Sequence, residues 1–209
     1  FDAARAEALL DAAGCVRGAG GWRTTPDGAA WQPELMVVAG WSDWVRATSL
    51  MVDDLRAVGV DASMRAWDFG AWFDRLGRGG FDLSIGWSPE GATPYAMYSA
   101  LLSARSVRPI GVPSPQSWHR WGSAEADALL DAFDATPEED AQRPIVAALE
   151  AIMVRELPAI PLFPGPSWGQ ARTGRFVGFP SADDPYARLS PNHHPDPLLV
   201  MTRLRPAAP

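Results

Sequence analysis

The order of patterns between residues 34 and 67 limits the folds open to this chain. Residues 34–39 are a short apolar run typical of a buried strand, and residues 60–67 alternate apolar and polar side chains at the period of a strand. Between them lies a helical pattern that Ser42 can cap and Gly59 can end. A strand, a helix and a strand at this spacing predict a right-handed parallel crossover, and therefore an α/β layer.

A second crossover follows directly. Asp68 can cap a helix that ends near Gly77, and residues 81–87 then alternate apolar and polar side chains as a further strand. Other helical patterns are present at residues 1–13, 94–104, 123–134 and from a capping box at Thr136, with a kink or restart expected at Pro144. From residue 164 onward the chain is rich in proline and aromatic residues without clear periodicity, which predicts an irregular segment packed along another domain.

The end of the strand at residues 81–87 is the predicted binding edge. Ligand sites in open α/β sheets lie outside the carboxyl ends of the strands. Trp87 ends this strand and is followed by the polar side chains of Ser88, Glu90, Thr93 and Tyr95. These five residues are therefore candidate ligand contacts; the alternative is that Trp87 simply caps the core.

The chain has ten tryptophans among 209 residues, several times the ordinary usage. Indole rings suit sugars because the apolar C–H face of a pyranose packs on an aromatic surface while polar groups contact the hydroxyls. By position, the candidates for ligand contact are Trp87, Trp168, Trp41 and Trp67. Most of the ten are expected in the core, including Trp44 and Trp72, which lie on apolar helix faces.

Charge and composition exclude several classes of function. The formal net charge is −7 and the 18 basic residues are scattered, which argues against a nucleic-acid partner. All 18 are arginine, so Schiff-base lysines and the P-loop lysine are absent. Cys15 alone cannot form an intrachain disulfide or a multi-thiolate metal site. His193 and His194 are adjacent and point apart in an extended segment, so no metal or cofactor is predicted, and no catalytic arrangement of side chains stands out.

Five short segments in a fixed order carry a resemblance to a known family. They are Ala6-Glu7-Ala8-Leu9-Leu10-Asp11-Ala12-Ala13-Gly14, Pro26-Asp27-Gly28, Leu55-Arg56-Ala57-Val58-Gly59-Val60, Gly80-Phe81-Asp82 to Trp87, and Glu156-Leu157-Pro158-Ala159-Ile160-Pro161-Leu162. In this order they resemble the carboxy-terminal part of the family 5 extracellular solute-binding proteins, the receptors of peptide, nickel and oligosaccharide ABC importers.

The resemblance implies a two-lobed, type II periplasmic-binding-protein-like fold that closes on its ligand. Residues 1–163 would form most of the second lobe, a mixed sheet flanked by helices, and residues 164–209 would return towards a first lobe that this sequence lacks. It also implies a monomeric, non-enzymatic receptor that works outside the cytoplasmic membrane and delivers its ligand to an ABC permease. A signal segment and any lipid anchor would lie outside this sequence.

Two segments are more similar to the oligosaccharide-binding branch of the family than to the peptide branch. They are Gly91-Ala92-Thr93-Pro94-Tyr95 and the stretch from Val177 to Ala187. Where peptide receptors have an aspartate for the amino terminus of the ligand, this sequence has Glu90. A peptide is therefore kept as an alternative ligand. Two hypotheses from other classes also stay open: a glycan hydrolase that uses a carboxylate pair, and a structural domain that docks onto a partner.

Overall fold

The computed structural model describes residues 2–91, 93–165 and 167–207. The chain divides into two compact units, Phe1–Ile160 and Pro161–Pro209. In the first unit the strands are β1 (Glu34–Val38), β2 (Ser63–Trp67) and β3 (Leu83–Ser84). Its helices are α1 (Ala3–Ala12), α2 (Ser42–Ala57), α3 (Phe69–Arg78), α4 (Tyr95–Leu102), α5 (Ala124–Asp134) and α6 (Glu139–Glu156), with a 3₁₀ turn at Ala104–Ser106.

The three strands form a sheet in the order β2-β1-β3, and both pairings are parallel. The central strand β1 is covered on both faces. Leu35 packs with Val52 on the side of α2, whereas Met36 packs with Trp72 and Leu76 on the side of α3. This two-sided burial explains why β1 reads as a continuous apolar run. The predicted α/β layer is confirmed, and the pairings described in this sheet are parallel rather than mixed.

The strand predicted at residues 81–87 is much shorter than its alternation suggests. Only Leu83 and Ser84 pair with β1, and Leu83 stays exposed at the edge of the sheet. Beyond Ile85 the chain leaves the sheet, because Trp87 packs against other aromatic rings instead of continuing the pleat. Likewise β2 begins at Ser63 rather than at residue 60, since the N–H of Val60 still bonds to Leu55 at the end of the preceding helix.

Several helix ends differ from the prediction. Asp68 does cap α3, accepting a hydrogen bond from the N–H of Ala71 at 3.0 Å. Ser42, however, lies inside α2 as its first residue. The end predicted at Gly77 is wrong, because α3 continues to Arg78 and is capped by Gly79, whose φ of +71° is the left-handed conformation that glycine adopts most easily.

The helices α4, α5 and α6 build a second core around Tyr98, Leu102, Leu130, Leu149 and Ile152. The capping box predicted at Thr136 is not formed. The hydroxyl of Thr136 instead donates to the carbonyl of Ala132 at the end of α5, and α6 begins only at Glu139. Pro144 lies within α6 without ending it, so the helix does not restart there, and the kink stays a prediction.

The second unit is less irregular than predicted. It contains a helix, α7 (Asp196–Arg203), and two short antiparallel strands, β4 (Phe176–Val177) and β5 (Arg205–Pro206). The prolines that made this stretch look irregular flank or open the helix: Pro195 precedes it and Pro197 lies in its first turn. A first-turn N–H has no helical partner, so proline costs little there. Among the described residues, no helix is both long and apolar enough to cross a membrane.

Candidate functional site

Seven aromatic side chains form one connected group near the carboxyl ends of the three parallel strands. Trp41 follows β1 after a turn at Gly40, Phe69 follows β2 at the start of α3, and Trp87 follows β3. We call the whole group the aromatic cluster; its members are Trp41, Trp44, Phe69, Trp72, Phe73, Trp87 and Trp118. This is the edge at which open α/β sheets bind ligands.

Four rings of the cluster are substantially exposed to solvent. The exposed fractions are 37% for Trp41, 48% for Phe69, 43% for Phe73 and 42% for Trp87. Neighbouring centroids lie 5.7–6.3 Å apart in a closed circuit that runs from Trp41 to Phe69, Phe73, Trp87 and back. Phe73 and Trp87 are nearly parallel, with 6° between their planes. Contiguous exposed apolar rings of this kind commonly mark a binding surface.

Trp72 is the floor of the cluster and is fully buried, as its position on the apolar face of α3 predicts. Its centroid lies 5.4–6.3 Å from each of the four exposed rings. The indole N–H donates to the hydroxyl of Ser84 on β3 at 3.1 Å. That hydroxyl lies 3.2 Å from the carbonyl of Met36 on β1, which links the floor to the central strand.

Trp44 and Trp118 complete the cluster at its sides. Both are partly buried. Trp44 meets Trp41 edge-on at 4.8 Å, and Trp118 meets Trp87 edge-on at 5.3 Å. Edge-to-face pairs are a favoured arrangement of aromatic rings, so these contacts restrain the exposed indoles.

The structure brings two of the predicted site residues, Trp41 and Trp87, to 6.3 Å from each other. Ser88, Glu90 and Thr93 are exposed in the loop that follows Trp87. An open depression of about 470 Å³ lies in that loop, lined by Pro89, Glu90, Gly91, Thr93, Pro94 and Met97. A carboxylate and a hydroxyl therefore lie within a few residues of the aromatic cluster along the chain.

Tyr95 faces the helical core instead. Its ring lies 5.8 Å from that of Phe133 on α5. Burial raises the pKa of the Tyr95 hydroxyl, and a hydrogen bond with the Asp134 carboxylate raises it further. Because its ring and hydroxyl are both engaged with α5, Tyr95 is not a member of the aromatic cluster.

Trp67 also stands apart from the exposed rings. The guanidinium carbons of Arg65 and Arg75 lie 4.1 Å and 4.0 Å from the centroid of its ring. Both guanidinium groups therefore stack on the ring of Trp67. Its buried indole N–H has no hydrogen-bond partner among the residues that the structure describes. We therefore interpret Trp67 as a stacking partner for arginines at the edge of the sheet.

Trp168 belongs to the second unit and is 73% exposed. It borders a cavity of about 480 Å³ whose polar lining includes Gln170, Asn192 and His193. The hydroxyl of Ser167 and Nδ1 of His193 lie 3.2 Å apart. Trp168 thus remains a candidate ligand contact on its own unit.

Sequence reasoning missed Phe69 and Phe73, which lie on α3 together with Trp72 and Leu76. Only Trp72 and Leu76 are buried. The sequence did hold a signal for them. Phe69 and Phe73 are one pair at i, i+4 spacing, and Trp72 and Leu76 are another. Together the two pairs make the apolar face of this ten-residue helix wider than a single core contact requires. Phe69 and Phe73 are the pair that reaches the surface.

The chemistry available at the cluster is that of an uncharged, apolar platform with polar groups beside it. Its seven rings carry no ionisable group, and indole and phenyl faces pack well against C–H surfaces. Within the described parts of the chain, no three or more His, Cys, Asp or Glu side chains are placed to hold a metal ion. The platform is therefore suited to binding by shape and stacking.

Comparison with known proteins gives one family and many structures. A sequence model described as bacterial extracellular solute-binding proteins, family 5 Middle, matches residues 1–108. A Thermotoga maritima periplasmic oligopeptide-binding protein of an ABC transporter, solved with bound mannohexaose, is similar over 100% of this chain at 22% identity and a TM-score of 0.88. No curated protein sequence matches.

Two further structures are similar over 76% of this chain, each at 18% identity. One is DppA from Helicobacter pylori in complex with the peptide STSA, with a TM-score of 0.61 and 28% of its length covered. The other is NikZ from Campylobacter jejuni in complex with Ni(L-His), with a TM-score of 0.66 and 31% covered. The chain spans about 40% of the length of the Thermotoga protein. These similarities confirm the predicted fold, a lobe of the type II periplasmic-binding-protein class.

Proposed function

The chain belongs to the family 5 bacterial extracellular solute-binding proteins, and on that premise we propose that it is the ligand-binding lobe of an ABC-importer receptor that captures an oligosaccharide. Membership of the family confirms the resemblance seen in the sequence. The ligand, the transport partner and the location are proposals, because the chain spans less than half of the structures it resembles.

The observation that carries the proposal is the exposed circuit of Trp41, Phe69, Phe73 and Trp87. Exposing four contiguous rings to water is unfavourable, since each square ångström of apolar surface left in water costs roughly 25 cal/mol. A pyranose can cover such rings with its C–H face and keep its hydroxyls hydrogen-bonded at the rim. Ser88, Glu90 and Thr93 are exposed in the following loop and supply acceptors and donors of the type that sugar hydroxyls need.

A peptide ligand is the second candidate, favoured by one observation. Glu90 lines the depression next to Pro89, Pro94 and Met97, so a carboxylate lies beside apolar side chains. This arrangement could pair with an ammonium group while the apolar groups contact a side chain. The aromatic cluster itself has no charged member and favours the saccharide.

Catalysis is not part of the proposal. A glycan hydrolase needs two carboxyl groups placed on either side of the scissile bond. The family consists of solute-binding proteins, and the platform described above is built from aromatic rings. We propose a non-enzymatic receptor, monomeric and extracytoplasmic, that passes its ligand to the transmembrane subunits of an ABC permease. We also propose that residues 1–163 form most of the second lobe and that residues 164–209 return towards the first lobe.

A thermal-shift screen of the complete two-lobed receptor tests the proposed function. The panel is mannohexaose, other oligosaccharides, and peptides of two to five residues. A ligand that binds only the folded state stabilises it by about 2.7 kcal/mol at a hundredfold excess over Kd, so a hit raises the melting temperature. We expect a saccharide to raise it; a shift with peptides alone would contradict the saccharide assignment.

A further inference from the structure

We propose that Trp72 and Ser84 are positioning residues that orient the exposed rings for the ligand without touching it. The inference rests on the saccharide-binding function proposed above. Trp72 is fully buried and Ser84 is partly buried on β3, and neither side chain belongs to the exposed circuit.

All four exposed rings lie close to Trp72. Trp41, Phe69, Phe73 and Trp87 each lie within 5.4–6.3 Å of the Trp72 centroid. All four exposed rings therefore rest on one indole. An indole has unequal ends, so turning it over moves its six-membered ring and shifts the surface on which the other rings lie. The orientation of Trp72 thus bears on the whole circuit.

A hydrogen bond fixes the orientation of the Trp72 indole. The Nε1–H of Trp72 donates to Ser84 Oγ at 3.1 Å, and this hydroxyl lies 3.2 Å from the carbonyl of Met36 and 3.0 Å from that of Ile85. The hydroxyl accepts from the indole and donates to one of the carbonyls. A buried indole N–H without an acceptor is unfavourable, so losing Oγ favours other orientations of the ring.

The exposed rings and the pair of Trp72 and Ser84 therefore have different roles. The exposed rings contact the ligand, whereas the pair of Trp72 and Ser84 sets the angle at which Trp87 and Trp41 are presented. These two indoles are tilted by 40° relative to each other and by 41° and 48° relative to Trp72. Tilted indoles at such distances couple optically, so their arrangement can be measured in the absence of any ligand.

The test compares Ser84→Ala, Ser84→Thr and Leu130→Ala in the complete receptor. Circular dichroism measures the exciton couplet of the tryptophans, calorimetry measures the affinity for mannohexaose, and thermal unfolding measures stability. Leu130 is 1% exposed in the separate core of α4, α5 and α6, so its truncation lowers stability without touching the cluster. It is the control for a purely structural effect.

We expect Ser84→Ala to reduce the couplet and to weaken mannohexaose binding by roughly three- to tenfold, the value of one hydrogen bond. Ser84→Thr keeps the hydroxyl and should restore both readouts, and Leu130→Ala should change neither at a temperature where it is folded. An unchanged couplet in Ser84→Ala, or an equal loss of affinity in Leu130→Ala, would overturn the inference. If the unaltered receptor binds no saccharide, the proposed function fails, and the couplet alone decides whether Ser84 positions the rings.

Discussion

Replacing Trp87 by alanine should lower both the stability of the fold and the affinity for the ligand, each through different contacts. Trp87 is 42% exposed, so a little over half of its side chain is buried against Trp41, Trp72 and Trp118. If full burial of an indole removes about 250 Å² from water, then about 140 Å² is lost in the variant. At roughly 25 cal/mol per Å² this costs up to about 3.5 kcal/mol of stability.

The effect on affinity has a different origin. A saccharide that packs on Trp87 loses its stacking surface, and a buried aromatic anchor at a binding site is worth about 2 kcal/mol or more. This corresponds to a rise in Kd of roughly 30-fold. Isothermal titration calorimetry of the complete receptor with the saccharide found in the screen measures this change, and thermal unfolding measures stability separately.

Trp22 offers a matched control. Its side chain is 43% exposed, so truncation to alanine removes a similar buried area, yet Trp22 lies in the amino-terminal loop and is not a member of the aromatic cluster. We expect Trp22→Ala to lower stability comparably and to leave the Kd unchanged. Equal affinities for Trp87→Ala and the unaltered receptor, or equal losses in both variants, would refute the reasoning.

Four further outcomes are expected. Glu90→Gln should change saccharide affinity less than Trp87→Ala, because an amide still bonds to hydroxyls; if a peptide ammonium pairs with Glu90 the order reverses, with a loss of about 2–5 kcal/mol measured by calorimetry. The 209-residue chain alone should bind more weakly than the complete receptor, because the proposed receptor closes two lobes on its ligand and this chain would supply the contacts of one; equal affinities would contradict this. Leu130→Ala should lower the free energy of unfolding by about 2–5 kcal/mol in denaturant titration, as truncation of a fully buried leucine does. Burial lowers the pKa of His119 from 6.5. The stability contributed by the neutral imidazole should therefore be fully present above pH 6.5 and be lost as the pH falls through the folded-state pKa. In thermal unfolding, His119→Gln should reduce this dependence of stability on pH.

The α/β layer could be predicted because the patterns behind it are local. The apolar run of β1, the cap at Asp68 and the left-handed glycine at Gly59 each follow from the properties of a few adjacent residues. The length of β3 could not be predicted in this way. Its alternation continues to Trp87, but whether a residue pairs depends on β1 and on the rings that draw Trp87 out of the sheet.

The site was predicted only in part for the same reason. Trp41 and Trp87 each follow a strand, and parallel topology brings the ends of neighbouring strands together. Phe69 and Phe73 were missed because periodicity gives the width of an apolar face and not which part of it stays in water. The environment of Trp67 is a long-range property as well, since Arg75 reaches it from the following helix.

A crystal structure of the complete receptor with mannohexaose would show whether the aromatic cluster receives a saccharide. We expect a sugar ring lying flat on the exposed rings, with its carbons within about 4–4.5 Å of Trp87 or Trp41, the range of apolar contact. A bound saccharide whose rings lie elsewhere, with Trp41, Phe69, Phe73 and Trp87 left in solvent, would contradict it.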